Sequence, residues 1–217
     1  FLSSTELKLS EFIPVFYDIE TTGLSRYSTF VYLIGAVRWE DDQWILTQWF
    51  GESSEEESLI IHEFTGYIKD ATCTIQYNGN RFDQPYLEER CRKNGLPSPF
   101  EDFPSIDVYQ ALKSCQSLFK LSRMKQPDLE NLFPSIHRIH CDGGQCIRLY
   151  RSYTKKKDPK MLETILGHNQ EDLYGLGLVY TLLSYKLLYL GEYEPSAVRI
   201  HGQEELVITL KLSHTVP

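Results

Sequence analysis

PVFYDIETTGL, residues 14–24, is the stretch on which the reading of this chain turns. Its first six residues, PVFYDI, are apolar or aromatic apart from one acid, the pattern of a buried strand over 14–19. Thr21-Thr22-Gly23 then breaks the strand. Asp18 and Glu20 stand two apart, so on a strand both side chains leave the same face. Carboxylates embedded in an apolar strand are costly unless paired, hydrogen-bonded or bound to a cation. Spacing alone leaves two readings open. One is metal ligation by hard oxygen donors. The other is an exposed strand end whose acids cap the following turn.

Outward from this strand, 30–39 (FVYLIGAVRW) and 43–50 (QWILTQWF) read as two more, joined at the hairpin signal Glu40-Asp41-Asp42. Such short turns make the three strands an antiparallel meander. Residues 54–69 read as a helix capped by Ser53 or Ser54, with the stripe Leu59, Ile60, Phe64 and Ile68. The acids Glu55, Glu56 and Glu57 suit its first turn as a solvated helix start. A strand at 72–77, the turn Asn78-Gly79-Asn80 and a helix over about 83–94, ending near Gly95, follow. A short strand is expected at 105–109, helical segments at 109–119 and 127–133, and irregular chain at 134–150 around Gly143-Gly144. Residues 159–190 read as one long helix or two in sequence. The alternation of ELVITLKL, 205–212, predicts a late strand for a sheet edge. The order predicts an α/β fold, a mixed central sheet with an antiparallel first three strands and helices on both faces.

With 217 residues and 41% hydrophobic content, a single domain over 1–217 is expected, 190–217 being a C-terminal strand extension. The net charge of −8 argues against duplex binding through a wide basic surface. It does not exclude a phosphate substrate, because bound divalent cations invert the local sign. Five cysteines, an odd number, argue against a disulfide framework and fit a reducing cytoplasm. FLSSTELKLSEF has no basic start and no apolar stretch of a signal peptide. The most apolar run, residues 178–190, is too short to span a bilayer, so no membrane partner is expected. Because the chain opens on Phe1, the natural N-terminus is expected to be missing.

Two further segments carry candidate chemistry. Asp83 follows the Asn78-Gly79-Asn80 turn and precedes Gln84-Pro85; taken alone it reads as a helix cap. His168 and Asp172, four apart on a helix, share a face. Histidine is the side chain that ordinarily changes charge near neutral pH, so His168 is a candidate general base. Gly167, Gly175 and Gly177 are unfavourable inside a helix. Close approach of that helix to the sheet would explain them, and it would bring Asp172 to the first strand.

FYDIETTGL, YNGNRFDQPYLEER and GHNQEDLYGL together resemble the three motifs of the DEDD exonuclease superfamily, in its ribonuclease H-like branch typified by the bacterial YprB-type domain. The resemblance spans residues 16 to 176. It implies a ribonuclease H-like fold and a metal-dependent 3′–5′ exonuclease acting on single-stranded DNA or RNA. It implies that Asp18, Glu20, Asp83 and Asp172 hold two divalent cations, Mg²⁺ or Mn²⁺, and that His168 activates water. One departure is plain. The family's His variant places that residue five before the last Asp and its Tyr variant places Tyr four before; here His168 stands at the Tyr spacing. Thr21, Asn78 and Asn80 are candidates to position substrate, the asparagines reading equally as turn-formers. The alternatives are an endonuclease with the same centre, or a binding module whose catalysis has lapsed. A further domain in the full-length protein is compatible with all three.

Two weaker signals complete the reading. His137, His140, Cys141 and Cys146 form H-x-x-H-C-x-x-x-x-C, a zinc pattern with an uncommon spacing. Arg148, Arg151, Lys155, Lys156 and Lys157 form a basic patch, read as a solvated loop or as contacts to a nucleic-acid backbone.

Overall fold

The structure, a computed structural model, describes residues 12–101, 103–134, 138–140, 143–201, 205–212 and 215–217. Strands β1 (Pro14–Thr21), β2 (Val31–Glu40) and β3 (Gln43–Phe50) form the antiparallel meander. A 3₁₀ turn leads into α1 (Glu57–Tyr67), then β4 (Cys73–Gln76), α2 (Asp83–Asn94) and β5 (Ser105–Asp107). β4 pairs parallel to β1, and β5 parallel to β4, so the five-stranded sheet runs β3-β2-β1-β4-β5. Short helices α3 (Val108–Leu112) and α4 (Gln126–Glu130) are followed by α5 (Gly143–Lys156), α6 (Pro159–Thr181) and α7 (Lys186–Tyr189). The mixed sheet covered by helices on both faces is the one the order of elements predicts.

The period of two in β1 separates its layers. Val15, Tyr17 and Ile19 enter one core with Ile60, Ile61 and Phe64 of α1 and Tyr86 and Leu87 of α2. Phe16 enters the other, with Leu173, Leu176 and Val179 of α6. Each such fully buried side chain stabilises the fold by ~1.5–3 kcal/mol. Asp18 and Glu20 share the face of Phe16. They therefore meet α6 rather than solvent, and the exposed-strand-end reading of this pair falls.

What lets α6 come so close is a glycine on the neighbouring strand. Gly35 of β2 lies opposite Asp18. A Cβ there would sit 1.9 Å from Asn169 Oδ1 and 2.7 Å from Leu173 Cδ1. The helix glycines serve otherwise. A Cβ on Gly167 would meet the His140 ring, one on Gly175 would meet the Glu130 carboxylate, and one on Gly177 would meet nothing within 4 Å. The close approach is real, but its space comes from the sheet. Gly35→Ala must displace the Asn169 and Leu173 side chains or push α6 outward, and overpacking of this kind destabilises by about 1–3 kcal/mol. Urea unfolding is expected to show a lowered midpoint with an unchanged slope; a wild-type midpoint would contradict this account of the docking.

Four expectations need correction. Helix α5, Gly143–Lys156, takes up the second half of the stretch 134–150 expected to be irregular. Cys146, Tyr150 and Tyr153 are buried along it at spacings of four and three, a helical stripe that outweighs the two opening glycines. All of the basic patch but Lys157, which follows the helix, is consequently on α5 and not on a loop. Glu57 is not solvated: its buried carboxylate accepts from the Val31 amide at 2.8 Å and takes Arg90 bidentately at 2.7 and 2.6 Å. Strand β7 (Glu205–Leu212) does not join the edge of the main sheet. It pairs antiparallel with β6 (Tyr193–His201) in a sheet of its own, the nearest segment in sequence being the easiest to pair. No helix among the described residues is long and apolar enough to cross a membrane.

Candidate active site

β1, the start of α2, and α6 converge on one open cavity of about 430 Å³, lined by Asp18, Glu20, Thr21, Asp83, His168 and Asp172 among others. Asp18, Glu20 and Asp172 each place a carboxylate oxygen within 4.8 Å of the others. Three segments up to 154 residues apart thus deliver acids to the same place. Asp83 shares the cavity but stands outside that tighter trio.

Asp83 is the first residue of α2; Phe82 is the cap, and it makes no side-chain capping bond. The Asp83 carboxylate instead accepts from its own backbone and that of Ile19. Those bonds favour the charged form, yet burial outweighs them and pushes its pKa up to about 7. Asp18 is raised well above the carboxylate range by burial, and by the like charges of Asp172, Asp83 and Glu20. Glu20 is raised well above it too, by burial and then by Asp172 and Asp83. Two groups work in the other direction. Asn169 Nδ2 donates to Asp18 Oδ2 at 3.0 Å, and Tyr32 reaches Glu20 Oε2 at 3.5 Å. Asn169 is itself oriented by Gln48, whose Nε2 donates to its Oδ1 at 2.9 Å.

His168 Nε2 stands 3.2 Å from Glu20 Oε1 and 3.2 Å from Asp172 Oδ2. Its other nitrogen, Nδ1, is buried with no hydrogen-bond partner among the described residues. On the far side of Asp172, Arg138 Nη1 lies 2.6 Å from Oδ1. The same guanidinium is gripped by both oxygens of Glu130, from Nε and Nη2, at 2.6 Å each. Glu130 is buried in the space that Gly175 leaves. Gln126 Nε2 ties the assembly together, donating to Glu130 Oε1 at 2.9 Å and to the Asp172 carbonyl at 2.7 Å. Arg138 therefore offsets part of the negative charge beside Asp172.

The remaining sequence candidates divide. Thr21 and Asn78 line the cavity, though Thr21 Oγ1 donates to the Gly23 carbonyl at 2.8 Å. Asn80 does not line it. Its Oδ1 accepts from Gln76 Nε2 at 3.0 Å, which makes it a turn-former. Asn78 has a left-handed φ of 59°, a conformation asparagine tolerates. Asp107, which no motif marks, braces this turn by accepting from the Asn78 and Asn80 amides. In the basic patch, Arg151 Nη2 donates to the Thr22 carbonyl at 3.1 Å, just beyond the acidic pair. Of the zinc pattern, His137 and Cys141 lie outside the described residues. His140 pairs with Glu171 at 2.8 Å, whereas Cys146 sits with Glu20 and His168. The pattern's two described members thus serve different partners.

Sequence reading missed Asn169, Gln48, Glu130 and Arg138. Asn169 had a signal, its place beside His168 in the third motif. The other three had none.

The donor set fits a hard divalent cation. Three crowded carboxylates, two of them strongly proton-loving, are what an oxygen-binding divalent cation would relieve.

Comparison with known proteins bears on the fold and the family. YprB of Bacillus subtilis (strain 168), described as uncharacterized, is 27% identical over 179 residues, covering 80% of this chain. The chain spans 42% of the length of that relative. The family B DNA polymerase of Pyrobaculum calidifontis superposes with a TM-score of 0.60 at 16% identity, covering 80% of this chain and 25% of the polymerase. A structure of exonuclease I gives 0.50 at 12% identity, over 83% of this chain and 44% of that one. At these identities the two structures share the fold. The model of a family described as the RNase_H superfamily matches residues 15–184, a span enclosing Asp18, Glu20, Asp83, His168 and Asp172, and this chain belongs to that superfamily.

Proposed function

We propose that this chain is a metal-dependent nuclease domain, a 3′–5′ exonuclease that hydrolyses phosphodiester bonds of single-stranded DNA or RNA. The observation that carries the reading is the trio Asp18, Glu20 and Asp172, gathered within 4.8 Å in a cavity shared with Asp83 and His168. In this reading the four acids hold two divalent cations, Mg²⁺ or Mn²⁺. When bound, these supply charge stabilisation to the phosphoryl oxygens and activate water.

The chain's own residues do the rest. Asn169 fixes the Asp18 carboxylate, with Gln48 behind it. Arg138 and Gln126 fix Asp172 at its side chain and its backbone. His168 Nε2, directed at the acids, is the atom that would accept a proton from water. A cavity of bare carboxylates repels phosphate, so chelation is expected to remove activity. The net charge of −8 supports single strands over wide contact with a duplex. We read residues 1–217 as a single domain, and the cysteine count supports a reducing, cytoplasmic setting.

End-labelled linear and covalently circular single-stranded oligonucleotides, incubated with protein and Mn²⁺, test the proposal. Stepwise shortening of the linear substrate from its 3′ end, with the circle intact, is expected. Cutting of the circle would instead identify an endonuclease. No hydrolysis of either, with cation binding absent by calorimetry, would leave a binding module.

A further inference from the structure

We propose that Cys146, His168 and Glu20 form a second metal site, one for Zn²⁺, that competes with the all-oxygen site and switches the nuclease off. The switching, though not the zinc binding, rests on the nuclease reading above. One donor atom from each residue lies within 4.8 Å of the other two, and all three residues are buried. They come from three elements, α5, α6 and β1. α5 is held close at this point: a Cβ on its first residue, Gly143, would sit 3.9 Å from His168 Nε2.

The donor chemistry selects the ion. Mg²⁺ and Mn²⁺ take hard oxygen ligands and have little use for a thiol, while sulfur with imidazole and one carboxylate suits zinc. Zinc binds sulfur at about 2.3 Å and nitrogen or oxygen at about 2.0–2.2 Å, so tetrahedral donors stand roughly 3.4–3.6 Å apart. The 4.8 Å ceiling is closed by side-chain adjustments of ~1 Å. Independently, His168 Nδ1 is buried without a hydrogen-bond partner among the described residues. A buried polar atom left so is unfavourable by about 1–3 kcal/mol, and it leaves the ring free to choose tautomer and ligand. Binding converts the Cys146 thiol to thiolate and releases one proton to solvent, with no change of oxidation state. It also draws Glu20 out of the hard-cation set and takes His168 away from water.

Cobalt(II), which reports zinc sites optically, tests the proposal when titrated into the full chain. Intense visible bands of a tetrahedral ion and a near-ultraviolet thiolate-to-cobalt band are expected, both lost on adding equimolar Zn²⁺. Cys146→Ser and Cys146→Ala, shown folded by circular dichroism and thermal melting, should lack the near-ultraviolet band. In parallel, Zn²⁺ is titrated against Mn²⁺-dependent hydrolysis, each protein being normalised to its own zinc-free rate. The half-inhibiting zinc concentration should rise at least about tenfold in both variants. The cobalt arm stands even if the chain hydrolyses nothing, so failure of the nuclease reading and failure of the zinc site are separable. A folded wild-type protein without the thiolate band overturns the proposal, leaving Cys146 a packing residue. So does a band that persists in the variants, or zinc inhibition identical in all three proteins.

Discussion

Asp18→Ala, folded and supplied with Mn²⁺, loses hydrolysis of an end-labelled single-stranded oligonucleotide by on the order of 10³-fold or more. The size of the effect follows from where Asp18 sits. It belongs to the trio whose oxygens lie within 4.8 Å of one another, and Asn169 donates to it at 3.0 Å. Removing it takes away a carboxylate of that trio and leaves the Asn169 amide only the main-chain carbonyl of residue 18, at 3.5 Å. The fold should survive, because the core of β1 is built by Val15, Phe16, Tyr17 and Ile19 and not by the acid. Asp18→Asn separates the two effects. It keeps a side-chain oxygen for Asn169 but removes the charge, so its activity should fall nearly as far while its melting temperature in chelator rises. Rates and melts on the same preparations make the check. Full activity in a folded Asp18→Ala protein would falsify the proposed mechanism.

The second large effect is on stability, and its sign is set by the same acids. Asp18 and Glu20 are held well above the carboxylate range, and Asp83 is pushed up to about 7. Between the unfolded pKa near 4 and these raised native values, the native state binds more protons than the unfolded chain. Stability therefore falls as pH rises through that window. The metal-free protein is expected to be most stable in mild acid and to lose about 2 kcal/mol between pH 5.5 and 8.5. That corresponds to ~4–8 °C in melting temperature for a chain of this size. Two interventions should reverse the loss at pH 8.5. Mn²⁺ at a hundred times its dissociation constant contributes about 2.7 kcal/mol. Asp83→Asn removes one of the repelling charges and flattens the profile. Differential scanning calorimetry across pH, with chelator or with Mn²⁺, reads all of this. Stability that climbs with pH in chelator would show that the acids are not crowded in solution as they are here.

The network beside Asp172 bears on both predictions. Arg138 keeps Asp172 partly compensated even without a cation, and Glu130 keeps Arg138 in place. Hence the repulsion falls mainly on Asp18, Glu20 and Asp83.

Much of this was legible in the residues alone. A period of two is a local property, so PVFYDIE already places Asp18 and Glu20 on one face of a buried strand. The Glu40-Asp41-Asp42 turn makes the meander, since short loops leave no other pairing. Three ordered motifs named the four acids and the histidine. Tertiary structure alone decided the rest, because it depends on contacts between residues far apart in sequence, about which local pattern carries no information. Whether Asp83 caps its helix or faces the acids depended on where the Ile19 backbone ran. Glycines read as features of α6 turned out to matter less for its docking than Gly35, one strand away. Arg138 and Glu130 belong to stretches without a motif, and the spacing around Cys146 points to His140 and Cys141 rather than to Glu20 and His168. Arg138 lines the cavity with Glu130 behind it, and Cys146 comes near Glu20 and His168, only through the packing of α4, α5 and α6, and that meeting is a property of the packed chain.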